Sequence, residues 1–537
     1  MTANTAKTKS RPGSAWAPLR HPVFRMLWCA WMAANLCMWM NDVAAAWLML
    51  SLSDKPVMVA LVQAAATLPV FLLGAPSGAL ADILDRRRYF IATQVWVACV
   101  AAVLCLVALF GQLTPTLLLL LTFANGIGLA MRWPVFSALL PELVPREELG
   151  RAMALNGVAM NGARVIGPMI AGAVIAAGGT AFVFLLNAVL SVLVAVALLR
   201  WRRERKASAL PAERFFGAMR VGFQYVRQSP EMHAVLLRAA TFFMFSVASI
   251  ALLPLVAKQL PGGNARTYTL MLATIGVGAI LAAALLPRLR QHFGRSEMVN
   301  YGSLANALVT LLLAFAPNIG VAMVALLLAG LSWLATANSL SISVQMVLPD
   351  WVRARGMSVY QMAVMGGTAA GAALWGQVAT LADTRTSLAV SALCAMLALV
   401  VLCRVRIESA GARDLTPNQF WSEPELAMPL APRQGPIMTQ IEYCIDVARV
   451  EEFMQLMQES RRMRLRNGAL SWELFQDAAA PSRFIEYFVD GSWVEHLRQH
   501  ERVTAHDRAI WEQKLGFHLG DSAPKISHHI ARRVKRS

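Results

Sequence analysis

Three charged side chains stand inside long apolar runs of this chain: Asp42, Arg132 and Arg164. Each has an asparagine nearby. Asn35 precedes Asp42 and Asn125 precedes Arg132 by seven residues, two helical turns and therefore the same face, and Asn161 lies beside Arg164. An ionisable group in hydrocarbon costs ~3 kcal/mol on insertion scales, so such groups face a cavity or a partner. A carboxylate at 42 close to a guanidinium at 164 would have a proton affinity that depends on whether the cation stays near, which is a device for coupling to protons. The alternatives are a static interhelical ion pair and, for Arg132, a side chain reaching toward the membrane interface.

The elements that must position these residues follow from hydropathy. The chain has 537 residues, 57% hydrophobic and 15% charged, with mean hydropathy +0.51. That composition excludes an ordinary soluble protein. Twelve apolar runs span roughly 24–50, 56–80, 89–110, 115–139, 152–177, 181–200, 233–257, 268–288, 298–316, 320–347, 356–380 and 386–404. Each reaches the ~20 residues a helix needs to cross a bilayer core, where only helices or closed barrels satisfy the backbone. The net charge of +18 lies mostly in alternate loops (Arg86–Arg88, Arg146 and Arg151, the 200–227 group, Arg288–Arg295, Arg353 and Arg355), while the intervening loops carry little beyond Lys55, Lys258, Arg266 and Arg385. This positive-inside pattern replaces a nucleic-acid reading and puts both termini in the cytoplasm, in an inner membrane. Seven cysteines lie mostly in apolar runs without metal or disulfide spacing. No nucleotide-binding motif is present, which argues against ATP drive.

The chain repeats itself. LVPREELGRAMALNGVAMNGARVIGPMIAG (143–172) and VLPDWVRARGMSVYQMAVMGGTAAGAALWG (347–376) align without a gap at an offset of 204. Pro145 meets Pro349 and Arg151 meets Arg355; Gly162, Gly167 and Gly172 meet Gly366, Gly371 and Gly376. Two homologous six-helix bundles are expected, with these glycines and Pro168 serving close packing and a kink. The offset puts Thr368 opposite Arg164, Ser246 opposite Asp42 and Thr336 opposite Arg132, so the intramembrane charge belongs to the first half.

The expected divisions are a tail (1–22), a first bundle (23–200), a central loop (201–232), a second bundle (233–406), a Pro- and Gly-containing linker (407–437) and a soluble domain (438–537). In the central loop, FFGAMRVGFQYV reads as an interfacial helix with Phe and Tyr toward lipid. The soluble domain alternates strand 438–447, helix 449–466, strands 469–476 and 483–489, helix 492–515 and strand 524–532. That βαββαβ order implies a ferredoxin-like sandwich. Most of the histidines lie there; His496 and His500 are four apart on a helix, yet no Cys or carboxylate completes a ligand set, so no metal is expected. Trp31, Trp39, Trp47, Phe71, Trp133, Phe136, Trp333 and Trp375 could line a cavity for an aromatic or amphipathic compound, or serve packing and lipid interfaces.

The loop GALADILDRRRYF (78–90) resembles the signature loop of the major facilitator superfamily, and PELVPREELGRAMALNGVAMNGARVIGPMIAG resembles its enterobactin-exporter-like branch. The resemblance covers roughly 20–405. It implies alternating access, with Gly78, Asp82, Asp85, Arg86 and Arg87 acting as a cytoplasmic gate, and Gly167-Pro168 to Gly172 partly matching an exporter motif. One departure concerns coupling: Thr122 stands where drug/proton antiporters of the superfamily carry an arginine, which leaves Arg164 as the substitute. The stretch 464–507 resembles antibiotic-biosynthesis-monooxygenase-like domains of the dimeric αβ-barrel type, without flavin or haem signature, implying regulation or dimerisation. The expectation is an all-α polytopic secondary transporter with a small α+β domain and no cofactor. It would export a small organic molecule, a siderophore or drug-like compound, by proton antiport. A metabolite importer of the same fold, or a membrane-tethered oxygenase or sensor acting through 438–537, are the alternatives.

Overall fold

The computed structural model describes residues 16–145, 148–201, 215–349, 351–405, 414, 416, 418, 430–520 and 522–532. The first half supplies α1 (Pro22–Leu52), α2 (Pro56–Ile83), α3 (Arg86–Leu109), α4 (Pro115–Leu143), α5 (Leu149–Gly178) and α6 (Thr180–Arg200). After α7 (Phe215–Arg227) come α8 (Pro230–Ala251), α9 (Leu253–Gln259), α10 (Ala265–His292), α11 (Arg295–Ala314), α12 (Ile319–Val347), α13 (Arg353–Leu381) and α14 (Thr384–Leu402). The helix starts follow local chemistry. Prolines 22, 56 and 115 occupy first turns, where their missing N–H is not needed. Thr114, Asn264 and Asp383 cap α4, α10 and α14 by accepting a backbone N–H. Pro254 interrupts the expected single run 233–257 and divides it into α8 and α9. Among the described residues, ten helical segments are long and apolar enough to cross a membrane, α8 and α9 counting as one; α11 and α13 open on charged turns and fall short of that hydropathy.

The chain divides into two compact units. The first holds 1–212, 239–338 and 361–404. In it the sequence repeat becomes a geometric one. Gly167 of α5 rests on Leu36, Trp39 and Met40 of α1; 204 residues on, Gly371 of α13 rests on Met244 of α8. Between halves the contacts are exchanged: Gly172 of α5 meets Thr269 of α10, and its counterpart Gly376 of α13 meets Val57 and Ala60 of α2. Such an exchange is what a two-fold relation between halves produces.

The halves share a core at one end. Met40–Leu50 of α1, Val59–Ala64 of α2, Val247–Leu260 of α8 and α9, Tyr268–Ile275 of α10 and Ala369–Leu388 of α13 and α14 contribute to one buried cluster near the loops at 53–55, 179, 260–264 and 382–383. There Val57 N–H donates to Thr380 Oγ1 at 2.9 Å, and Trp47 stacks on Tyr268 at 5.9 Å. Toward the opposite end the first half closes on a cluster of its own, which includes Phe24, Trp31, Phe90, Phe136 and Leu198.

The second unit holds 213–238, 339–360 and 405–537. Its sheet consists of β1 (Ile437–Cys444), β2 (Ser471–Gln476), β3 (Arg483–Asp490) and β4 (Lys525–Ile530), in the order β2-β3-β1-β4, with every neighbouring pair antiparallel. Alternation of buried and half-exposed residues along β1 places Ile437, Thr439, Ile441 and Tyr443 against α15 (Val450–Arg466) and the helices after β3. The single helix expected over 492–515 is two, α16 (Trp493–Glu501) and α17 (Ala505–Leu515), because Thr504 and Asp507 form a capping box that starts a new helix.

Candidate functional site

Parallel packing of α1 and α5 fixes where the intramembrane charges stand. His21 meets Glu148 at 3.1 Å and Trp28 donates to the Leu155 carbonyl at 2.9 Å, both across 127 residues. At that register Arg164 is level with Cys37, and Asp42 lies five residues further along, roughly 8 Å at the helical rise. The expected Asp42–Arg164 ion pair is therefore not formed. The Arg164 guanidinium lies 5.2 Å from the ring of Trp39 in the first half and 4.2 Å from that of Trp333 in the second. Asp42 has Tyr268 of α10 within electrostatic range. Both side chains are half-buried, and each faces a residue of the second half, Tyr268 and Trp333. Phe243 stands edge-on to Trp333 at 5.7 Å and extends the aromatic wall.

The other charged and polar residues of the sequence pattern that the structure describes make different contacts. Arg132 is buried: it donates to the Ala34 carbonyl at 3.2 Å and lies over Trp31, which stacks on Phe136 at 4.1 Å. It is a packing element of the first half. Asn35 turns back on its own helix and donates to the Trp31 carbonyl at 2.8 Å. Asn125 is half-buried, its Oδ1 without a partner, beside Gly126, which lies against the Ala66 carbonyl. The side chains of Asn161, Asp82 and Trp133 lie outside the described residues. The repeat partner Thr368 donates to its own helix at the Val364 carbonyl.

In the gate loop, Asp85 caps α3 by accepting from Arg88 N–H at 3.0 Å. Arg87 donates to the carbonyls of Leu198 and Leu199 at 3.2 and 2.6 Å, a cation on the negative end of α6. Arg86 opens α3 and is half-buried. Gly78 does not provide the close approach expected of it: no atom lies within 4 Å of where a Cβ would stand. Gly162 is equally open, whereas its repeat partner Gly366 lies against Phe71. The packing glycines thus close the loop end of the interface; beyond it α13 keeps contact with α2 at Gly366, while among the described residues no atom of the second half meets α5 at Gly162.

In the second unit, α7 forms as expected, but Tyr225 faces protein. Its hydroxyl donates to the Val347 carbonyl at 3.0 Å and its ring meets Trp351 edge-on at 5.8 Å. Arg466 and Arg502 of the soluble domain lie over Tyr225 and Trp351, and Gln224 donates to the Ala469 carbonyl at 2.6 Å. The soluble domain therefore holds both α7 and the turn between α12 and α13. Within it Glu486 is fully buried and accepts from Tyr443 Oη, Trp472 Nε1, Ser460 Oγ and Lys514 Nζ at 2.8–3.0 Å. Burial alone would raise its pKa, but the cations of Lys514 and Arg464 prevail and hold it at about 2. Lys514 moves the other way, down to about 8, because burial and Arg464 together outweigh the one carboxylate. His496 pairs with Asp490 at 2.8 Å, with His500 and His528 at 4.7 and 5.0 Å between ring centroids. Among the described residues no cluster of His, Cys, Asp and Glu is arranged to hold a metal.

Sequence reasoning included Trp39 and Trp333 only as members of a set, and missed Phe243 and Tyr268. The Phe242-Phe243 pair in an apolar run and a tyrosine at the start of another were the available signals.

The family described as transmembrane secretion effector matches residues 13–536. A staphyloferrin A transporter from Staphylococcus aureus is 23% identical over 332 residues, covering 60% of this chain and 81% of the relative. Macrolide efflux protein A from Streptococcus pyogenes is 25% identical over 224 residues, 41% of this chain and 55% of that protein. Among solved structures, the nucleoside transporter NupG matches with TM-score 0.58 at 12% identity, covering 71% of this chain and 98% of its own. A bacterial homologue of the lysosomal transporter Spinster, inward-facing and unoccupied, matches with TM-score 0.55 at 16% identity, covering 74% and 97%. These structural likenesses are of fold.

Proposed function

The chain belongs to the transmembrane secretion effector family of major facilitator transporters, and on that footing we propose that it exports a small organic molecule, a siderophore or drug-like compound, by proton-coupled alternating access. It is a multi-pass membrane transporter, not an enzyme. In this reading twelve helices span the membrane, α11 and α13 included, with the bundles at 23–200 and 233–406 and both termini cytoplasmic. The observation that carries it is the shape of the interface between halves. They share one core at the loop end, with Asp42 and Arg164 between them; beyond it α13 still touches Phe71 of α2 at Gly366, while among the described residues nothing meets α5 at Gly162. In this reading the interface opens to the cytoplasm on the α5 side. Asp42 is the proton site; among the described residues no cation pairs with its carboxylate. The 438–537 domain, ferredoxin-like in strand order, regulates or dimerises the carrier through its hold on the cytoplasmic turn.

The test is gradient-driven uptake of a dye panel of both charges, ethidium, Hoechst 33342 and the anion fluorescein, into inverted membrane vesicles. Uptake abolished by an uncoupler and by Asp42→Asn is expected. Uptake that survives both removes the proton from the mechanism, and uptake only into right-side-out vesicles makes the protein an importer.

A further inference from the structure

We infer that Arg164, set between Trp39 and Trp333, is the anchoring point for an organic anion with a planar apolar body, an inference that rests on the transporter reading and names its substrate class. The guanidinium is the reason. Among the described residues no carboxylate stands within ion-pair distance of it, and no backbone carbonyl accepts from it; its contacts are the two indole rings. Aromatic faces attract a cation but do not satisfy its five N–H donors, which form a planar fork suited to two oxygens of a carboxylate. A half-buried guanidinium with no protein acceptor among the described residues keeps its donors available to an anion.

The surroundings specify the rest. Trp39 belongs to α1 and Trp333 to α12, so a ligand on Arg164 touches both halves, and its binding bears on the movement between them. Phe243 continues the wall from Trp333, offering flat apolar surface beside the charge. Asp42 stands roughly 8 Å further along the axes, too far to neutralise the guanidinium but near enough for its charge to bear on the occupant.

The experiment uses the purified full chain in nanodiscs and reads quenching of tryptophan fluorescence by three nitroaromatic probes of one shape: 4-nitrobenzoate, 4-nitrobenzyl alcohol and 4-nitrobenzylammonium. The wild type binds the benzoate about tenfold or more tightly than the alcohol (~1.4 kcal/mol) and the ammonium most weakly. Arg164→Gln loses this order, Arg164→Lys keeps part of it, and Trp333→Phe weakens all three probes while preserving it. Equal binding of the three, preference for the ammonium, no saturable quench by the benzoate, or an unchanged order in Arg164→Gln overturns the inference. Should Arg164→Gln fail to fold, the wild-type order and Arg164→Lys decide. Gradient-driven uptake into proteoliposomes, read with 4-nitrobenzoate and with ethidium, separates this from the transporter reading. Gradient-driven export by a protein with no anion preference sinks the anion site alone, and anion preference without flux of any compound sinks the exporter alone.

Discussion

Gly376→Ala and Gly162→Ala add the same methyl group to repeat-related helices, and the structure gives them opposite consequences. A Cβ at 376 would stand 2.5 Å from Ala60 Cβ and 3.1 Å from Val57 Cα. Ordinary contact begins near 3.4 Å, so α13 and α2 must separate by about 1 Å, and backbone cannot swing aside as a side chain can. Overpacking of this kind costs about 1–3 kcal/mol, which would lower the closed population of the loop end about 5- to 150-fold relative to states in which the two helices part. At 162 the methyl enters open space. Both changes gain the same helix propensity, so that contribution cancels in the comparison. The assay is double electron–electron resonance between nitroxides on Ser53→Cys and Asn264→Cys, in a background from which the seven native cysteines are removed. Gly376→Ala should broaden and lengthen the distance distribution, and Gly162→Ala should leave it at the wild-type value. A lengthened distribution in Gly162→Ala with none in Gly376→Ala would refute the assignment of closed and open ends.

Arg132→Met should lower the thermal unfolding midpoint of the full chain by several degrees without altering probe preference at Arg164, since it removes the bond to the Ala34 carbonyl and the contact with Trp31; a shifted probe preference would place Arg132 at the Arg164 site instead. Glu486→Gln leaves the buried Lys514 cation without its carboxylate, a loss of about 3–5 kcal/mol, and hydrogen exchange over 437–530 should accelerate while α1–α6 keep their protection; unchanged exchange would mean Lys514 sheds its proton at little cost. Acid should loosen the same domain before Glu486 titrates. Burial, with His496 and Arg464 nearby, pushes His500 down to about 3, so below its unfolded value of about 6.5 the unfolded chain takes up a proton that the folded domain refuses. Stability is then complete above about pH 6.5 and falls by about 2–3 kcal/mol at pH 4.5. Exchange rates over α16 that are flat between pH 7 and 4.5, after correction for intrinsic chemistry, would contradict that. Below about pH 4.5 the depressed Glu486 begins to contribute its own loss, in the same direction.

Local chemistry made much of this protein legible from its residues. Apolar runs of spanning length, prolines in first turns and capping side chains located the helices, and period-two alternation over 438–447 located β1, because each of these signals acts within a few residues of where it is written. The repeat offset of 204 also carried through to space, with Gly167 and Gly371 making equivalent contacts on α1 and α8. What the residues could not disclose were relations between distant segments. Asp42 and Arg164 looked like partners because opposite charges in an apolar medium attract, but the side-by-side register of α1 and α5, set by Trp28 on Leu155 and Gly167 on Trp39, holds them a turn and a half apart. Tyr225 looked lipid-facing because α7 is amphipathic, and only the turn at Val347–Trp351 and the arginines of the soluble domain show which medium its aromatic face meets. Gly78 and Gly162 read as packing residues from their type alone; whether a glycine touches anything depends on which end of the interface is closed, and that is a property of the assembled halves.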